Sequence, residues 1–216
     1  MNLSYTDEQN LLRDSVSKFC GSDYDFETRM KSVNSENGHN PEHWKLFAEL
    51  GWLAIPFSED LGGLDGGDVD LSLMFEEFGK SIVVEPYLAN VVLSGSVLKR
   101  SDLENKSDLI EQLIAGEKQV SLANYEPKKG FNLDNIECEI SDDGKVSGLK
   151  TTVLNAPNAD LFLVFGKHKS GFAFALISKG AEGSKVTTYK TYDGFVSGDL
   201  LLENCKAEAV FSKSDA

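Results

Sequence analysis

The sequence predicts an α+β protein, with an all-α helical domain over residues 1–118 and an antiparallel β-barrel or sandwich domain over residues 119–216. Three observations carry that prediction. Apolar residues recur at helical spacing as far as about residue 117 and alternate beyond it. Helix start and stop residues, among them Thr6, Asn40-Pro41, Gly51 and Gly116, bracket the periodic segments of the first half. In the second half short β-prone runs follow one another at regular spacing, each bounded by Gly, Asp or Asn.

The elements follow in order. Thr6-Asp7-Glu8-Gln9 has the form of a capping box, and Leu12, Val16 and Phe19 then make one apolar helical face that Gly21 can stop. A second helix opens at Asn40-Pro41, with Asn as cap and Pro in the first turn, buries Trp44, Phe47 and Leu50, and ends at Gly51. The paired glycines Gly62-Gly63 and Gly66-Gly67 mark a loop. Asp68 or Asp70 caps a third helix carrying Leu71, Met74, Phe75 and Phe78, which ends near Gly79. Pro86 opens a fourth, apolar almost all round through "YLANVVLSGSVL", and "SDLIEQLIAGEK" is a fifth, amphipathic helix. The stretch "SLANYEPKKGFNL", Ser121 to Leu133, is a boundary loop. Ile136, Cys138 and Ile140 then alternate with Glu137 and Glu139, and Asp143-Gly144 is a tight-turn signal leading into "KVSGLKTTVL". "DLFLVF", "GFAFALIS", "KVTTYK" and "GDLLLENC" complete the strands.

Composition narrows the function classes. Thirty-five acidic against twenty-one basic residues give a formal charge of −14, which repels nucleic acid and anionic membrane surfaces. No apolar run reaches the length of a membrane span, and "MNLSYTDEQN" carries neither a basic segment nor an apolar signal core, so a cytoplasmic location is expected. Cys20, Cys138 and Cys205 lack metal-ligand spacing and read as buried free thiols. His39, His43 and His168 are too scattered for a metal cluster and fit solvated loops or helix ends. "GGLDGG" is not a dinucleotide-binding fingerprint, and no P-loop, G-x-S-x-G, H-E-x-x-H or C-x-x-C occurs. Glu76-Glu77 read as the polar face of an exposed helix rather than as an acid/base pair. Residue by residue, the sequence specifies a fold and little chemistry.

The order of segments says more. "LSYTDEQNLLRDSVSKF", "ELGWLAIPFSEDLGG" with its following "EEFGK", the Glu126-Pro127 step, "VSGLKTTVLNAP" and "TYDGFVSGDLLLENC" together resemble the acyl-CoA dehydrogenase family over nearly the whole chain. Within it, "YEPKKGFNL", "VSGLKTTVLNAP" and "YKTYDG" look like the small subunits of heteromeric enzymes of the pimeloyl-CoA dehydrogenase kind. The resemblance implies an FAD enzyme of lipid breakdown that removes a proton from the α-carbon and a hydride from the β-carbon of an acyl-CoA thioester, leaving a trans-2-enoyl product. It implies an electron-transfer flavoprotein or similar acceptor, and a homo- or hetro-oligomer with an acyl-CoA dehydrogenase subunit. Carried over by position, Asn124 and Tyr125 contact the flavin and thioester region, Phe131 and Asn132 lie near the pyrophosphate or the CoA arm, and Thr152 and Leu154 flank the ring. The "SLANYEPKKGFNL" loop becomes one wall of a flavin cleft.

Several positions depart from the family pattern. Tyr125 replaces a Thr, Gly130-Phe131-Asn132 replaces Gly-Ser-Asp, and Thr152 and Leu154 replace a Trp and a Thr, so two hydroxyl donors and an aromatic wall are missing. Ordinary strand packing is an equal reading of Thr152 and Leu154. The family's C-terminal helical bundle, which carries the glutamate base, has no counterpart before "EAVFSKSDA", and no catalytic residue is assigned; without a positioned base, proton abstraction loses ~10²–10⁴ in rate. The expectation is therefore a fragment, a truncated product or a subunit completed by a partner, inactive alone. Three functions follow: part of an FAD-dependent acyl-CoA dehydrogenase, a non-catalytic structural partner of one, or a flavin-free CoA-thioester or lipid binding module. Uncovered apolar surface is expected near "FAFALI" and "PYLANVVL".

Overall fold

Thr6 caps the first helix as the sequence predicts. In the computed structural model, which describes residues 4–130, 132 and 135–212, the Thr6 hydroxyl accepts the Gln9 N–H at 3.2 Å and the Gln9 side chain accepts the Thr6 N–H at 3.1 Å. Helix α1 (Asp7–Ser22) runs through Gly21 before it stops. Helix α2 (Phe26–Asn34) is an element the apolar pattern does not announce, because Ser32 is its one buried residue; its signal is the Asp25 cap, whose carboxylate accepts the Thr28 N–H at 2.8 Å. Helix α3 (Pro41–Glu49) has the expected Asn40 cap and buries Trp44 and Phe47, while Leu50 leaves the helix and is 46% exposed. Helix α4 (Asp68–Ser81) starts from Gly67 rather than from an aspartate. Asp70 sits in the third position and accepts the Gly67 N–H at 2.8 Å, and the helix passes Gly79 to end at left-handed Ile82.

These four helices and the loops between them form one compact unit, which carries the chain up to Glu85; the second runs from Pro86 onward. In the first, α1 packs on α4 around Phe19, Phe47, Trp52, Phe57 and Met74, with Phe47 stacked on Phe78 at 5.4 Å between ring centroids. Burying each such side chain contributes about 1.5–3 kcal/mol. The glycine-rich loop is ordered by its backbone: Gly63 N–H donates to the Ser58 carbonyl, and Asp65 and Gly66 N–H to those of Phe57 and Ile55. A Cβ on Gly63 would lie 2.0 Å from the Phe57 carbonyl oxygen, so that glycine is required by space rather than by flexibility. Two expectations fail here. Glu77 is buried and paired with Lys80 at 2.6 Å rather than solvated, because the i,i+3 lysine lets its carboxylate be covered. His39 is buried at 3% exposure, and His43 reaches the buried Glu85 at 3.1 Å.

The second unit joins helical segments to a sheet. A π-helical turn (Leu88–Ser94) leads into α5 (Gly95–Lys99), and α6 (Lys106–Ile114) stops at Gly116, whose φ is 73°. The strands are β1 (Val120–Ala123), β2 (Glu139–Ile140), β3 (Lys145–Leu154), β4 (Leu161–His168), β5 (Gly171–Ser178), β6 (Ser184–Lys190), β7 (Val196–Lys206) and β8 (Ala209–Phe211). They form one eight-stranded sheet in the order β6-β7-β3-β2-β4-β5-β8, with β1 also on β4. The expected purely antiparallel barrel or sandwich is corrected: β1 and β2 both run parallel to β4, and among the described residues no pairing of β6 with β8 closes the sheet. Turn signals specify the hairpins β2–β3 and β4–β5, but a parallel pairing joins segments distant in sequence and leaves no local mark. β1 also occupies part of the stretch expected to be loop. Leu161 to Val164 of β4 are all buried, as a strand covered on both faces requires, whereas β6 is exposed along most of its length and carries Lys185 and Lys190, the usual protection of a sheet edge. Most of "FAFALI" is buried in the sheet's own core, with Phe172 outside it 43% exposed; of "PYLANVVL", Leu88 and Leu93 are exposed.

Candidate functional site

The sheet has a seam. β3 pairs with β7 on one side, β4 pairs with β5 on the other, and the space between β3 and β4 is filled only in part by β1 and the two-residue β2. The chain leaving β1 crosses from β4 to β3, where the Tyr125 carbonyl accepts the Thr151 N–H at 2.9 Å, and the following loop lies over the seam. There it borders a cleft of about 200 Å³ lined by Asn124, Tyr125, Glu126, Lys129, Gly130, Asn132 and Ile136. Three of the six residues expected at the site, Asn124, Tyr125 and Asn132, therefore meet on one cleft. Phe131 lies outside the described residues. Thr152 and Leu154 are not in the cleft lining; they stand on β3 beside it, joined to the loop through the Thr151–Tyr125 hydrogen bond.

The loop is pinned from below by a buried ion pair. Glu126 Oε1 accepts from the Lys150 ammonium at 2.7 Å, and the same carboxylate accepts the Glu137 and Cys138 N–H groups at 2.7 and 3.0 Å. Both side chains are covered, at 0% exposure for Lys150 and 5% for Glu126. Burial by itself raises a carboxyl pKa; here the Lys150 bond and the two backbone donors outweigh it and hold Glu126 below its ordinary value, ionised. Pro127 has no N–H to donate, and Lys128 and Gly130 take left-handed backbone at φ 61° each. Lys128 and Lys129 put positive charge on the loop, although Lys129 is also paired with Glu137.

On β3 the strand is irregular. Lys150 pairs with Leu200 and Val153 with Gly198, so Thr151 and Thr152 together oppose the single residue Asp199. Thr152 is exposed and left-handed at φ 53°, a conformation that costs a β-branched residue about 1–2 kcal/mol. Asn155 is left-handed as well, but an asparagine tolerates it, and its side chain ties Gln119 at 2.6 Å to Asn158 at 2.7 Å. Thr152 is exposed on the strand and Leu154 is half-buried.

Residue-level reasoning missed Glu126, Lys150 and Asp199. Glu126 was visible as half of the Glu-Pro step. Lys150 shares the parity of Val146 and so falls on the inner face of β3, a signal that a charged residue type masks. Asp199 had none, since only the bulge makes it face two residues. The three cysteines are buried free thiols, as expected; burial raises all three thiol pKa values, that of Cys138 to about 11, which leaves them poor nucleophiles. Among the described residues no group of three or more His, Cys, Asp or Glu side chains could hold a metal, and no helix is long and apolar enough to cross a membrane.

Known proteins are similar to this chain in sequence and in fold. Isovaleryl-CoA dehydrogenase of Pongo abelii is 27% identical over 94% of this chain and 52% of its own length. The ChsE4-ChsE5 complex from Mycobacterium tuberculosis superposes on 97% of the chain and 57% of its own with a TM-score of 0.86 at 24% identity, and a glutaryl-CoA dehydrogenase from Mycobacterium smegmatis in complex with FADH2 on 94% and 54% with a TM-score of 0.83 at 19% identity. At such identities the solved structures speak to the fold. The chain spans about half the length of the curated relatives it matches, for instance 56% in two of them. Residues 6–117, more than half of the chain, match the family model described as acyl-CoA dehydrogenase, N-terminal domain, and on that match the chain belongs to the acyl-CoA dehydrogenase family.

Proposed function

We propose that the chain forms the helical and flavin-facing β portion of an FAD-dependent acyl-CoA dehydrogenase that converts an acyl-CoA thioester to its trans-2-enoyl product, in the cytoplasm, and passes electrons to an electron-transfer flavoprotein or similar acceptor. The observation that carries this reading is the convergence of Asn124, Tyr125 and Asn132 on one cleft over the seam of the sheet, beside the strained Thr152. The donor set fits the cofactor. The charges of Lys128 and Lys129 suit a diphosphate; the Tyr125 ring, 41% exposed, can lie along an isoalloxazine face; and Asn124 and Asn132 offer amide donors for its carbonyl oxygens. When bound, the flavin supplies the hydride acceptor. The chain's own residues position it and keep the loop fixed through Glu126 and Lys150.

The replacements at Tyr125, Phe131 and Thr152 favour a second reading, a structural subunit of a heteromeric dehydrogenase that contributes one wall of a composite site. An absorbance spectrum and FAD titration of the purified chain, alone and co-purified with a companion acyl-CoA dehydrogenase subunit, separates the two. Flavin bound by the chain supports the first reading, flavin bound only in the mixture supports the second, and flavin in neither overturns both.

A further inference from the structure

The bulge on β3 needs a cause. Two residues opposite one leave Thr151 and Thr152 without their regular ladder partners on β7, and Thr152 is a β-branched residue held in left-handed backbone. Instead both N–H groups are used elsewhere. The Thr152 N–H donates to the Asp199 carboxylate at 3.2 Å, and the same oxygen accepts the Tyr189 hydroxyl at 2.9 Å, which ties the carboxylate to the neighbouring strand β6. Thr151, turned away from β7, donates its N–H to Tyr125 in the cleft loop at 2.9 Å. The space beside the bulge is tight as well: a Cβ on Gly198 would lie 3.0 Å from the Thr187 carbonyl oxygen and 3.1 Å from Ala156 Cβ. A carboxylate at position 199 therefore replaces the missing ladder acceptor and frees one backbone donor for the loop.

We propose that Asp199, held by Tyr189, is a positioning residue of the flavin site: its carboxylate clamps the Thr151–Thr152 bulge and so sets the distance between the β3 wall and the Tyr125 loop. The inference rests on the flavin reading above and adds a residue that is not among those lining the cleft. Backbone strain kept at an exposed position, and held by a side chain rather than by core packing, is what a preorganised binding wall requires.

The test compares Asp199→Ala, Asp199→Asn and Tyr189→Phe with the unmodified protein, purified with its companion subunit if flavin binding requires one. FAD affinity is read by flavin fluorescence, the ring environment by the absorbance envelope, the clamp by hydrogen exchange at the Thr152 amide, and the fold by thermal melting. Asp199→Ala is expected to weaken FAD binding about tenfold, equivalent to about 1.4 kcal/mol, to change the flavin spectrum and to accelerate exchange at Thr152. Asp199→Asn keeps an oxygen acceptor and is expected to restore affinity and spectrum to near the original, with Tyr189→Phe between the two. Unchanged affinity and spectrum in Asp199→Ala overturn the proposal, as does an affinity loss in Asp199→Ala that Asn fails to rescue although the protein melts normally. If Asp199→Ala does not fold, Asp199→Asn and Tyr189→Phe decide, and identical Thr152 exchange in both and in the original sinks the clamp. A protein that binds no flavin under any condition overturns the functional reading instead, and the exchange measurement then judges the clamp by itself.

Discussion

Replacing Lys150 by Met tests the element that holds the cleft loop to the sheet. The ammonium lies 2.7 Å from Glu126 Oε1 with both side chains covered. At an effective dielectric constant of about 20 the gross attraction at that separation is about 6 kcal/mol. Several kcal/mol of desolvation per ion offset most of it, so the intact pair adds little net stability. Removing one partner is different: the Glu126 charge stays buried with two backbone donors and no counter-ion, and the cost is about 3–5 kcal/mol. The two remaining donors put the expectation for Lys150→Met at the lower end, about 3 kcal/mol. Glu126→Gln alone leaves an uncompensated ammonium and falls in the same range, while the double variant loses clearly less than the sum. Urea unfolding measures this, and the two compact units can be followed separately. Trp44 and Trp52 both lie in the first unit, so tryptophan fluorescence follows that unit, whereas the β signal in circular dichroism follows the second. With a slope of about 1–3 kcal/mol/M, the midpoint of the β transition falls by at least about 1 M and the fluorescence transition stays in place. A shift worth less than about 1 kcal/mol, or additive losses in the double variant, would refute the argument.

Three further outcomes follow from the same geometry. Glu126 has its folded pKa depressed below 4.5, so the stability it contributes is present above the unfolded value and lost as pH falls through the folded one; the β transition weakens on acidification below about pH 4.5, and Glu126→Gln flattens that slope. Gly63→Ala, which would place a methyl 2.0 Å from the Phe57 carbonyl oxygen, destabilises the first unit by about 3 kcal/mol or more, whereas Gly62→Ala, left-handed at φ 78° but in open space, costs about 1–2 kcal/mol; tryptophan fluorescence in urea ranks the two, and equal effects would remove the steric account. Tyr24 is buried, its hydroxyl accepts the Val84 N–H at 3.0 Å, and burial raises its pKa, so Tyr24→Phe orphans that donor and lowers the stability of the first unit by about 1–3 kcal/mol, checked by the same melt.

How much of this was legible in the sequence depends on how local each cause is. Thr6, Asn40 and Gly116 work within one helical turn, so their types alone identify helix ends, and the Asp143-Gly144 turn identifies its hairpin. Helix α2 was illegible because it buries almost nothing, leaving no apolar stripe to detect. Leu50 was misplaced by one residue of phase, since helical periodicity continues past the point where the backbone stops. The order of motifs singles out Asn124, Tyr125 and Asn132, and the three line one cleft because they sit close together in the chain.

The sequence by itself determined the order and ends of most helices, the hairpins, the inert cysteines and the motif series of the family. Each rests on interactions within a few residues, on composition, or on patterns that survive as a string of letters. The tertiary structure alone decided the parallel pairing of β1 and β2 with β4, the burial of Lys150 against Glu126, and the face on which Thr152 stands. Strict alternation from Val146 would carry Thr152 and Leu154 inward along with Lys150; the extra residue opposite Asp199 reverses the phase, burying Val153 and exposing Thr152. A strand's alternation has a period of two, so one inserted residue exchanges its faces, and that insertion is fixed by a carboxylate 47 residues further along the chain.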